Sequence, residues 1–306
     1  MYYNERYDKK IQIIGVLSVS FKYVCIMYKT NFMKQIIFLL ISLICISATS
    51  SKQESIVWKN LEIGLDYAIV DASAKSTHAD SKIDVLRINP AYFSFELECM
   101  EQKKSGNKKI DQICKDNNLI AAINAGMFKL EGNFQTCTGY MKNGTYTNNA
   151  TLNPSYKNVF AFNSKDTSKK SAALIDITCQ DWATAKNNYT SFSQGIRMVN
   201  CEGKATWQAS EKKWSMVLLG EDTSGNILFI FCRSPYKVLD FTNMLLQSEL
   251  KIKRLMYLEG GPEASFYVNH SNASIQKMGS YETGFNENNN NGVYWEIPNV
   301  IGIKRK

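Results

Sequence analysis

Glu259 and Glu263 are two carboxylates separated only by Gly260-Gly261-Pro262, directly after an apolar run. A tight turn that brings two carboxylates together can separate their pKa values, which suits general acid and general base work. Enzymes that cleave glycosidic bonds commonly use such a pair, with one carboxyl group on each side of the scissile bond. The alternative is structural, with Glu263 capping a following element and Glu259 pairing with an arginine. The residues alone leave both interpretations open.

The segment AAINAGMF, at positions 121–128, has the same design. An apolar run ends in a polar residue, Asn124, and a glycine follows at Gly126. Glycine lets the backbone turn sharply and lets a ligand approach closely, and concave sites with a few placed polar groups are where ligands bind. A plain transition from strand to turn explains either segment equally well when it is taken alone.

Arg197 and Arg233 emerge from apolar segments, GIRMV and FIFCRSPY. Because an unpaired buried charge is unfavourable, each arginine is expected either to pair with a carboxylate such as Glu259 or to bind an anionic ligand. The planar guanidinium suits a phosphate. Structural pairing is the more ordinary outcome, and the two roles are compatible because a carboxylate often holds a site arginine.

Charge and motifs exclude several classes of function. The formal net charge of the 306 residues is +8, and the bias beyond residue 50 is spread thinly along the chain. Nucleic-acid binding is therefore not expected, since it needs basic residues concentrated on one face. No GxSxG or GxxxxGK[ST] motif occurs, which disfavours an α/β-hydrolase triad and a phosphate-binding loop.

The cysteines and histidines do not predict a zinc site. No CxxC pair occurs, and the chain has only two histidines, far from any cysteine cluster. No cofactor is expected, although a pocket lined by carboxylates and asparagine could hold Ca²⁺. Cys232 lies in an apolar strand and is expected to be a buried free thiol. Neither disulfide connectivity nor oligomeric state can be read from the sequence.

The segment after Met33-Lys34, QIIFLLISLICISATSS, is typical of a secretory signal, with a basic start, an apolar stretch and small polar residues. It predicts export to the periplasm or beyond, with a retained anchor as the alternative. The apolar run is short for a spanning helix, so no stable membrane span is expected once the signal is removed. A lipid anchor is not expected, because Ile44 precedes Cys45 where a small residue is usual. A signal normally begins at the initiator methionine, so we expect translation to start at Met33. Residues 1–50 are then an extension plus the signal, and residues 51–306 are expected to form one domain.

Segments with strand patterns outnumber helical ones after residue 50. Two predicted helices, at 108–118 and 239–250, each precede a buried strand. This arrangement predicts a single mixed α/β domain of the α+β class, rather than a bundle or a sandwich. The polar stretch 132–154 is either a functional loop or a hairpin. Strands are predicted at 56–70, 82–88, 93–98, 119–124, 159–162, 172–177, 197–199, 205–208, 214–219, 227–232 and 255–258, with a short helix at 180–187.

The order of six segments resembles the phosphodiester glycosidase family, which includes the catalytic domain of the mannose-6-phosphate uncovering enzyme. The segments are INAGMF, TGYMKNG, IRMV, WSMVLLGED, NILFIFCRSPY and YLEGGPEASFYV, between about Lys82 and Val268. The resemblance looks closest to a bacterial branch in which LEGGPEAS replaces the commoner LDGGGS. It implies a curved, mostly antiparallel β-structure with flanking helices. It also implies an exported hydrolase whose partner is a carbohydrate or glycosyl-phosphate, from which it removes the sugar of a sugar-1-phosphodiester.

The resemblance also implies roles by position. Glu259 would be the key carboxylate, Arg233 would hold the phosphate and Asn124 would orient the sugar. Glu263 does not match the family pattern, and we expect it to act as an acid or base partner because it lies so close to Glu259 in the sequence. The substrate-binding positions that match the family are Gly126, Gly139, Gly260 and Gly261. Arg197 is added to them as a substitute for the arginine that the family has at position 216.

Three departures from the family pattern bear on the activity. Glu259 stands where Asp is usual, Pro262-Glu263 replaces Gly-Ser, and Met216 falls where many members have Arg. The missing Arg weakens the case for the same phosphodiester substrate. Two alternatives therefore stay open: an exported glycan-binding or surface protein without catalysis, and a glycosidase that acts on a non-phosphorylated glycoside.

Overall fold

Antiparallel strands dominate the computed structural model, which describes residues 55–166, 168 and 170–306. The predicted extension and signal at 1–50 lie outside the described residues, so the start at Met33, cleavage and export remain predictions. No helix in the described part of the chain is both long enough and apolar enough to cross a membrane.

The strands are, in chain order, β1 (Lys59–Glu62), β2 (Leu65–Asp71), β3 (Lys82–Ile88), β4 (Phe93–Cys99), β5 (Ala121–Asn124), β6 (Met141–Asn143), β7 (Tyr146–Asn149), β8 (Asn158–Ser164), β9 (Ala172–Asp176), β10 (Tyr189–Val199), β11 (Trp214–Asp222), β12 (Ile227–Tyr236), β13 (Ile252–Gly260), β14 (Ser265–His270), β15 (Ala273–Met278) and β16 (Asn299–Arg305). The helices among the described residues are α1 (Ile110–Asn117), α2 (Trp182–Asn188) and α3 (Val238–Gln247).

These strands form two sheets. The larger runs in the order β1-β2-β3-β12-β11-β13-β10-β6-β7, with β8 pairing with both β10 and β9, and the smaller runs β15-β14-β5-β16-β4. Strand β13 is central in the larger sheet, whereas β14, which follows it along the chain, belongs to the smaller one. The segment between them, a single 3₁₀ turn at Gly261–Glu263, therefore carries the chain from one sheet to the other.

The main core lies between the two sheets. Phe95 of β4 packs against two rings of the larger sheet, with centroids 5.1 Å from Phe160 and 6.3 Å from Phe229. All three rings are buried and belong to one cluster with residues of both sheets. Each ring removed from water contributes roughly 2–3 kcal/mol, so this layer holds the sheets together.

Strand β11 is buried on both faces. Val217 and Leu219 face the core between the sheets, whereas Met216 and Leu218 join a second cluster with Phe241 of α3. Successive side chains of a strand point to opposite faces, so the continuous apolar run in WSMVLLGED is explained by α3 covering the far side of the larger sheet.

The predicted mostly antiparallel β-structure is confirmed, and the α+β class fits in part. The helical share is small, because the three helices of the described part span only seven to ten residues each. The polar stretch 132–154 contains the hairpin of β6 and β7. The predicted strand at 205–208 is wrong, since there Ala205 makes only an isolated bridge to Val199.

Candidate active site

Tyr257 and Glu259 lie two residues apart in β13 and face one cavity, beside a β-bulge. Leu218 pairs with Tyr257 and Val217 pairs with Glu259, so Leu258 has no partner in β11. Bulges re-aim side chains and are common next to active sites. Because side chains alternate along a strand, Tyr257 and Glu259 both line the cavity, while Leu258 points the other way and is buried between the sheets.

The Gly-Gly-Pro turn brings Glu263 into the wall of the same cavity. Gly261 has a φ of +63°, a conformation that favours glycine. A Cβ atom on Gly261 would lie 2.4 Å from Oε2 of Glu282, and one on Gly260 would lie 2.1 Å from the hydroxyl oxygen of Tyr257. Both glycines thus let polar groups of other residues lie directly against the turn.

Asn124 fixes this turn from behind. Its side-chain nitrogen donates to the backbone carbonyl of Glu263 at 3.0 Å, and its side-chain oxygen accepts from the backbone N–H of Ser265 at 2.7 Å. Asn124 is buried and is not part of the cavity wall. The geometry therefore gives it a positioning role, while direct contact with a sugar remains a prediction.

Glu282 is a third carboxylate in the cavity wall. Its backbone forms a β-bridge with Trp214, and its N–H donates to the carbonyl of Asn286 at 3.0 Å. Because its carboxylate lies against Gly261, the turn and the loop after β15 meet at this residue.

Arg233 holds the loop that carries Glu282. Its guanidinium donates to the backbone carbonyls of Met278, Asn289 and Asn291 and to the side-chain oxygen of Asn289, at 2.6–2.9 Å. Arg233 is not part of the cavity wall. The protein itself thus engages this arginine, and its part in holding a phosphate remains a prediction that these contacts do not support.

Arg197 is likewise engaged away from the cavity. Its Nη1 donates to both carboxylate oxygens of Asp176, at 3.0 and 3.2 Å, and to the hydroxyl of Thr178 at 2.8 Å. Asp176 is fully buried, so the pair matches the structural alternative considered from the sequence. Only the neighbouring Ile196 lines the cavity.

The cavity has a volume of about 700 Å³, within the range typical of sites for small ligands. The NAGMF segment supplies wall residues directly after Gly126, and the TGYM segment supplies one directly before Gly139. A Cβ atom on Gly139 would lie 2.8 Å from the carbonyl oxygen of Gln194, so this glycine permits close packing behind the wall. The lining residues are Met127, Phe128, Leu130, Thr138, Ile196, Trp207, Trp214, Tyr257, Glu259, Gly260, Glu263, Glu282 and Phe285.

Burial separates the pKa values of the two predicted carboxylates. Loss of solvation raises the pKa of Glu259 from 4.5 to about 8, and the negative charges of Glu263 and Glu282 add to the effect. The same causes raise the pKa of Glu263 to about 6, with Glu282 as the charged neighbour. Near pH 7, Glu259 is therefore mostly protonated and Glu263 mostly ionised, which is the division of roles that acid and base catalysis needs.

Tyr257 adds a neutral hydroxyl to the site. Burial and the charges of Glu259, Glu282 and Glu263 raise its pKa well above the usual value, so it keeps its proton. The side chain is 6% exposed, and its hydroxyl has no hydrogen-bond partner among the described residues. Because Tyr257 lines the cavity, its hydroxyl is available to bind a ligand there.

Four residues of the cavity wall were not predicted as site residues from the sequence. Glu282 stands in YETG, which carries no recognisable motif, and only tertiary contacts bring it to the turn. Trp207 and Trp214 belong to no catalytic motif, yet both line the cavity. Tyr257 was part of the YLEGGPEASFY signature, but nothing in the sequence marked its hydroxyl as unpaired.

Asp176, Cys179 and Cys201 are the one close group of potential metal ligands in the described part of the chain. The two cysteines form a disulfide, and Asp176 already pairs with Arg197, so the group offers no free set of ligands. Cys232 is buried and free, as predicted. The expectation of no cofactor, and its alternative of Ca²⁺ in the cavity, both remain predictions.

The sequence model of the phosphodiester glycosidase family matches residues 117–304 of this chain. That match covers more than half of the chain, including the NAGMF segment and the turn after β13. The chain belongs to the phosphodiester glycosidase family. The resemblance seen in the sequence motifs is thereby confirmed. No curated protein matches this phosphodiester glycosidase family member.

Two solved structures share its fold. A hypothetical protein from Synechocystis superposes with a TM-score of 0.55 at 13% identity, over 84% of this chain and 65% of its own, so this chain spans less than two thirds of that protein. The zebrafish N-acetylglucosamine-1-phosphodiester α-N-acetylglucosaminidase catalytic domain, auto-inhibited by its pro-peptide, superposes with a TM-score of 0.51 at 12% identity, over 85% of both chains. At such identities the likeness concerns the fold alone.

Proposed function

We propose that this protein is a glycosidase that hydrolyses a bond at the anomeric carbon of a sugar, with Glu259 and Glu263 as its catalytic pair. The observation that carries the proposal is the presence of both carboxylates in one cavity, with pKa values raised to about 8 and about 6. Family membership supports the same reaction class.

The two carboxyl groups take different roles. Protonated Glu259 donates its proton to the leaving oxygen as the bond to the anomeric carbon breaks. Ionised Glu263 acts on the other side of the sugar, either by activating water or by attacking the anomeric carbon itself. General acid and base catalysis of this kind contributes about 100- to 10,000-fold to the rate.

The remaining wall suits a sugar and its transition state. Cleavage of a glycosidic bond passes through a state with positive charge on the sugar ring. Ionised Glu263 stabilises that charge in a site partly shielded from water, with the carboxyl group of Glu282 in the same wall. Trp207 and Trp214 offer aromatic faces in the same cavity, and an aromatic side chain presents apolar area together with a polar edge for binding.

The family suggests a sugar-1-phosphodiester as the substrate. A second candidate, a glycoside without phosphate, is favoured by one observation. None of the described residues that line the cavity is Lys, Arg or His, although a phosphate is best held by a cation. The reaction class is common to both candidates.

The test is hydrolysis of a panel of synthetic glycosides and glycosyl-1-phosphodiesters by the purified protein. Glu259→Gln and Glu263→Gln should each lower kcat by at least ~100-fold, while Glu287→Gln, on the exposed part of the loop, serves as the matched control and should match the wild type. Full activity in both cavity variants, with folding intact, would remove the proposal. Binding without turnover in the wild type would favour the non-catalytic alternative.

Export is part of the proposal. It rests on the signal-like segment after Met33 and is supported by the disulfide between Cys179 and Cys201, since disulfides persist in oxidising compartments. N-terminal sequencing of protein recovered outside the cytoplasm tests it. A mature protein that still contains Tyr2 would contradict both cleavage and the start at Met33.

A further inference from the structure

We infer that the substrate is an uncharged glycoside with an apolar aryl or alkyl aglycone, recognised by an anionic cavity and an apolar rim. This inference rests on the proposed glycosidase function and specifies the leaving group. It follows from the charge of the cavity wall, from the residues at its mouth and from the unpaired hydroxyl of Tyr257.

The charge of the wall opposes an anionic substrate. Glu259, Glu263 and Glu282 share the cavity. The charges of Glu263 and Glu282 raise the pKa of Glu259, and the charge of Glu282 raises the pKa of Glu263. Two arginines are candidate phosphate ligands in the sequence. In the structure, Arg197 pairs with Asp176, and Arg233 donates to loop carbonyls. A phosphodiester would place its charge beside like charges without a cation among the described lining residues, and each carboxylate within about 7 Å would weaken binding by roughly tenfold.

The mouth of the cavity is apolar. Leu130 and Phe285 line the cavity and yet are 78% and 63% exposed. Phe285 contacts Trp295 with ring centroids 6.1 Å apart, so the aromatic surface continues outward. We call Leu130, Phe285 and Trp295 the apolar rim. A leaving group that extends from the anomeric carbon towards the mouth would remove part of this rim from water, which favours an apolar group.

Tyr257 is suited to a neutral ligand. Its hydroxyl is protonated and has no partner in the described part of the chain, and it lies against Gly260 at the end of β13. It can donate to a hydroxyl or ring oxygen of a sugar without bringing a charge. The cavity thus combines donors for a neutral sugar with an apolar exit.

Two matched substrate series test the inference. Both use glucose, galactose, mannose and N-acetylglucosamine as α and β anomers, one as 4-methylumbelliferyl glycosides and the other as 4-methylumbelliferyl glycosyl-1-phosphodiesters, and free sugar released by the full chain is quantified. We expect kcat/KM for the uncharged substrate to exceed that for its phosphodiester by about 100-fold. Equal or faster cleavage of the phosphodiester overturns the inference but leaves the glycosidase function standing. No cleavage in either series contradicts the glycosidase function, and the inference falls with it.

Variants separate the contribution of charge from that of the rim. Glu282→Gln should reduce by about tenfold the ratio of kcat/KM for the uncharged substrate to kcat/KM for its phosphodiester. Glu287→Gln is the charge-matched control outside the cavity. Phe285→Ser should raise KM for an octyl glycoside by about tenfold and leave KM for the methyl glycoside unchanged. Ile63→Ser, at another exposed apolar position, should change neither. An unaltered preference in Glu282→Gln, or equal effects of Phe285→Ser on both aglycones, would overturn the inference.

Discussion

Replacement of Glu259 by glutamine should stabilise the protein while it removes activity. Burial raises the pKa of Glu259 from 4.5 to about 8, so the folded state resists an ionisation that the unfolded chain undergoes freely. A carboxyl group whose pKa is raised in the folded state does not destabilise the protein at a pH below the pKa that it has in the unfolded chain. The destabilisation grows as the pH rises from about 4.5 and levels off above about 8. Glutamine has nearly the same shape and cannot ionise, so it removes this cost.

The two pKa values set the size of the effect. By thermodynamic linkage, the raised pKa of Glu259 lowers the free energy of unfolding of the wild type by no more than ~1 kcal/mol at pH 5, ~3 kcal/mol at pH 7 and ~5 kcal/mol at pH 9. Glu259 keeps some contact with solvent through the cavity, and this contact screens part of the effect. We therefore expect Glu259→Gln to raise the free energy of unfolding by about 1–2 kcal/mol at pH 7 and by more at pH 9.

Urea denaturation followed by tryptophan fluorescence measures this difference at pH 5, 7 and 9. Glu287→Gln is the control, because Glu287 lies on the exposed part of the loop and its replacement should leave the free energy of unfolding nearly unchanged at every pH. The reasoning is refuted if Glu259→Gln destabilises the protein at pH 9, or if its effect is the same at all three values.

Three further predictions concern the same site. The pH profile of kcat/KM should be bell-shaped, with limbs near pH 6 and 8 from Glu263 and Glu259, and a profile flat from pH 5 to 9 would contradict the acid and base roles. Gly261→Ala should lower the free energy of unfolding by about 1–3 kcal/mol and displace Glu282, because of the positive φ and the close carboxylate; denaturation and steady-state kinetics check both effects, and an unchanged variant would argue against the packing described. Asn124→Ala should lower the free energy of unfolding by about 1–3 kcal/mol, because it leaves backbone groups of the turn unpaired. It should also lower kcat more than it raises KM. Loss of stability without loss of kcat would limit Asn124 to a structural role.

The sequence predicted those parts of the site that depend on neighbouring residues. The apolar run before Glu259 forms β13, and the glycines after it form the turn that brings Glu263 to the same cavity. The two motifs around Asn124 and Glu259 meet through a direct hydrogen bond between Asn124 and Glu263. Local strand and turn signals sufficed because strand periodicity and glycine conformation act over a few residues.

Partners distant along the chain could not be predicted. Arg197 pairs with Asp176, and Arg233 binds carbonyls as far along as Asn291. Either arginine fitted a phosphate equally well from its own segment alone. Glu282 reaches the turn only because β14 and β15 leave the larger sheet and the following loop returns to Trp214. Such contacts follow from sheet order, which no local pattern in the chain specifies.

The predicted strand at 205–208 failed for a related reason. Ala205-Thr206-Trp207 has apolar and β-branched character, but Trp207 contacts the ring of Tyr257 at a centroid distance of 5.4 Å instead of joining a ladder. Its side chain thus completes the cavity wall. Local propensity for a strand is weak and yields to such tertiary packing.

The dependence on leaving group in Glu259→Gln tests the catalytic pair most directly. A general acid matters when the leaving oxygen is basic, as in an alkyl glycoside, and is nearly dispensable when the leaving group is 2,4-dinitrophenolate. We predict that Glu259→Gln lowers kcat/KM by at least ~100-fold on the alkyl glycoside and by less than ~10-fold on the 2,4-dinitrophenyl glycoside of the same sugar. An equal loss on both substrates would contradict the assignment of Glu259 as the acid.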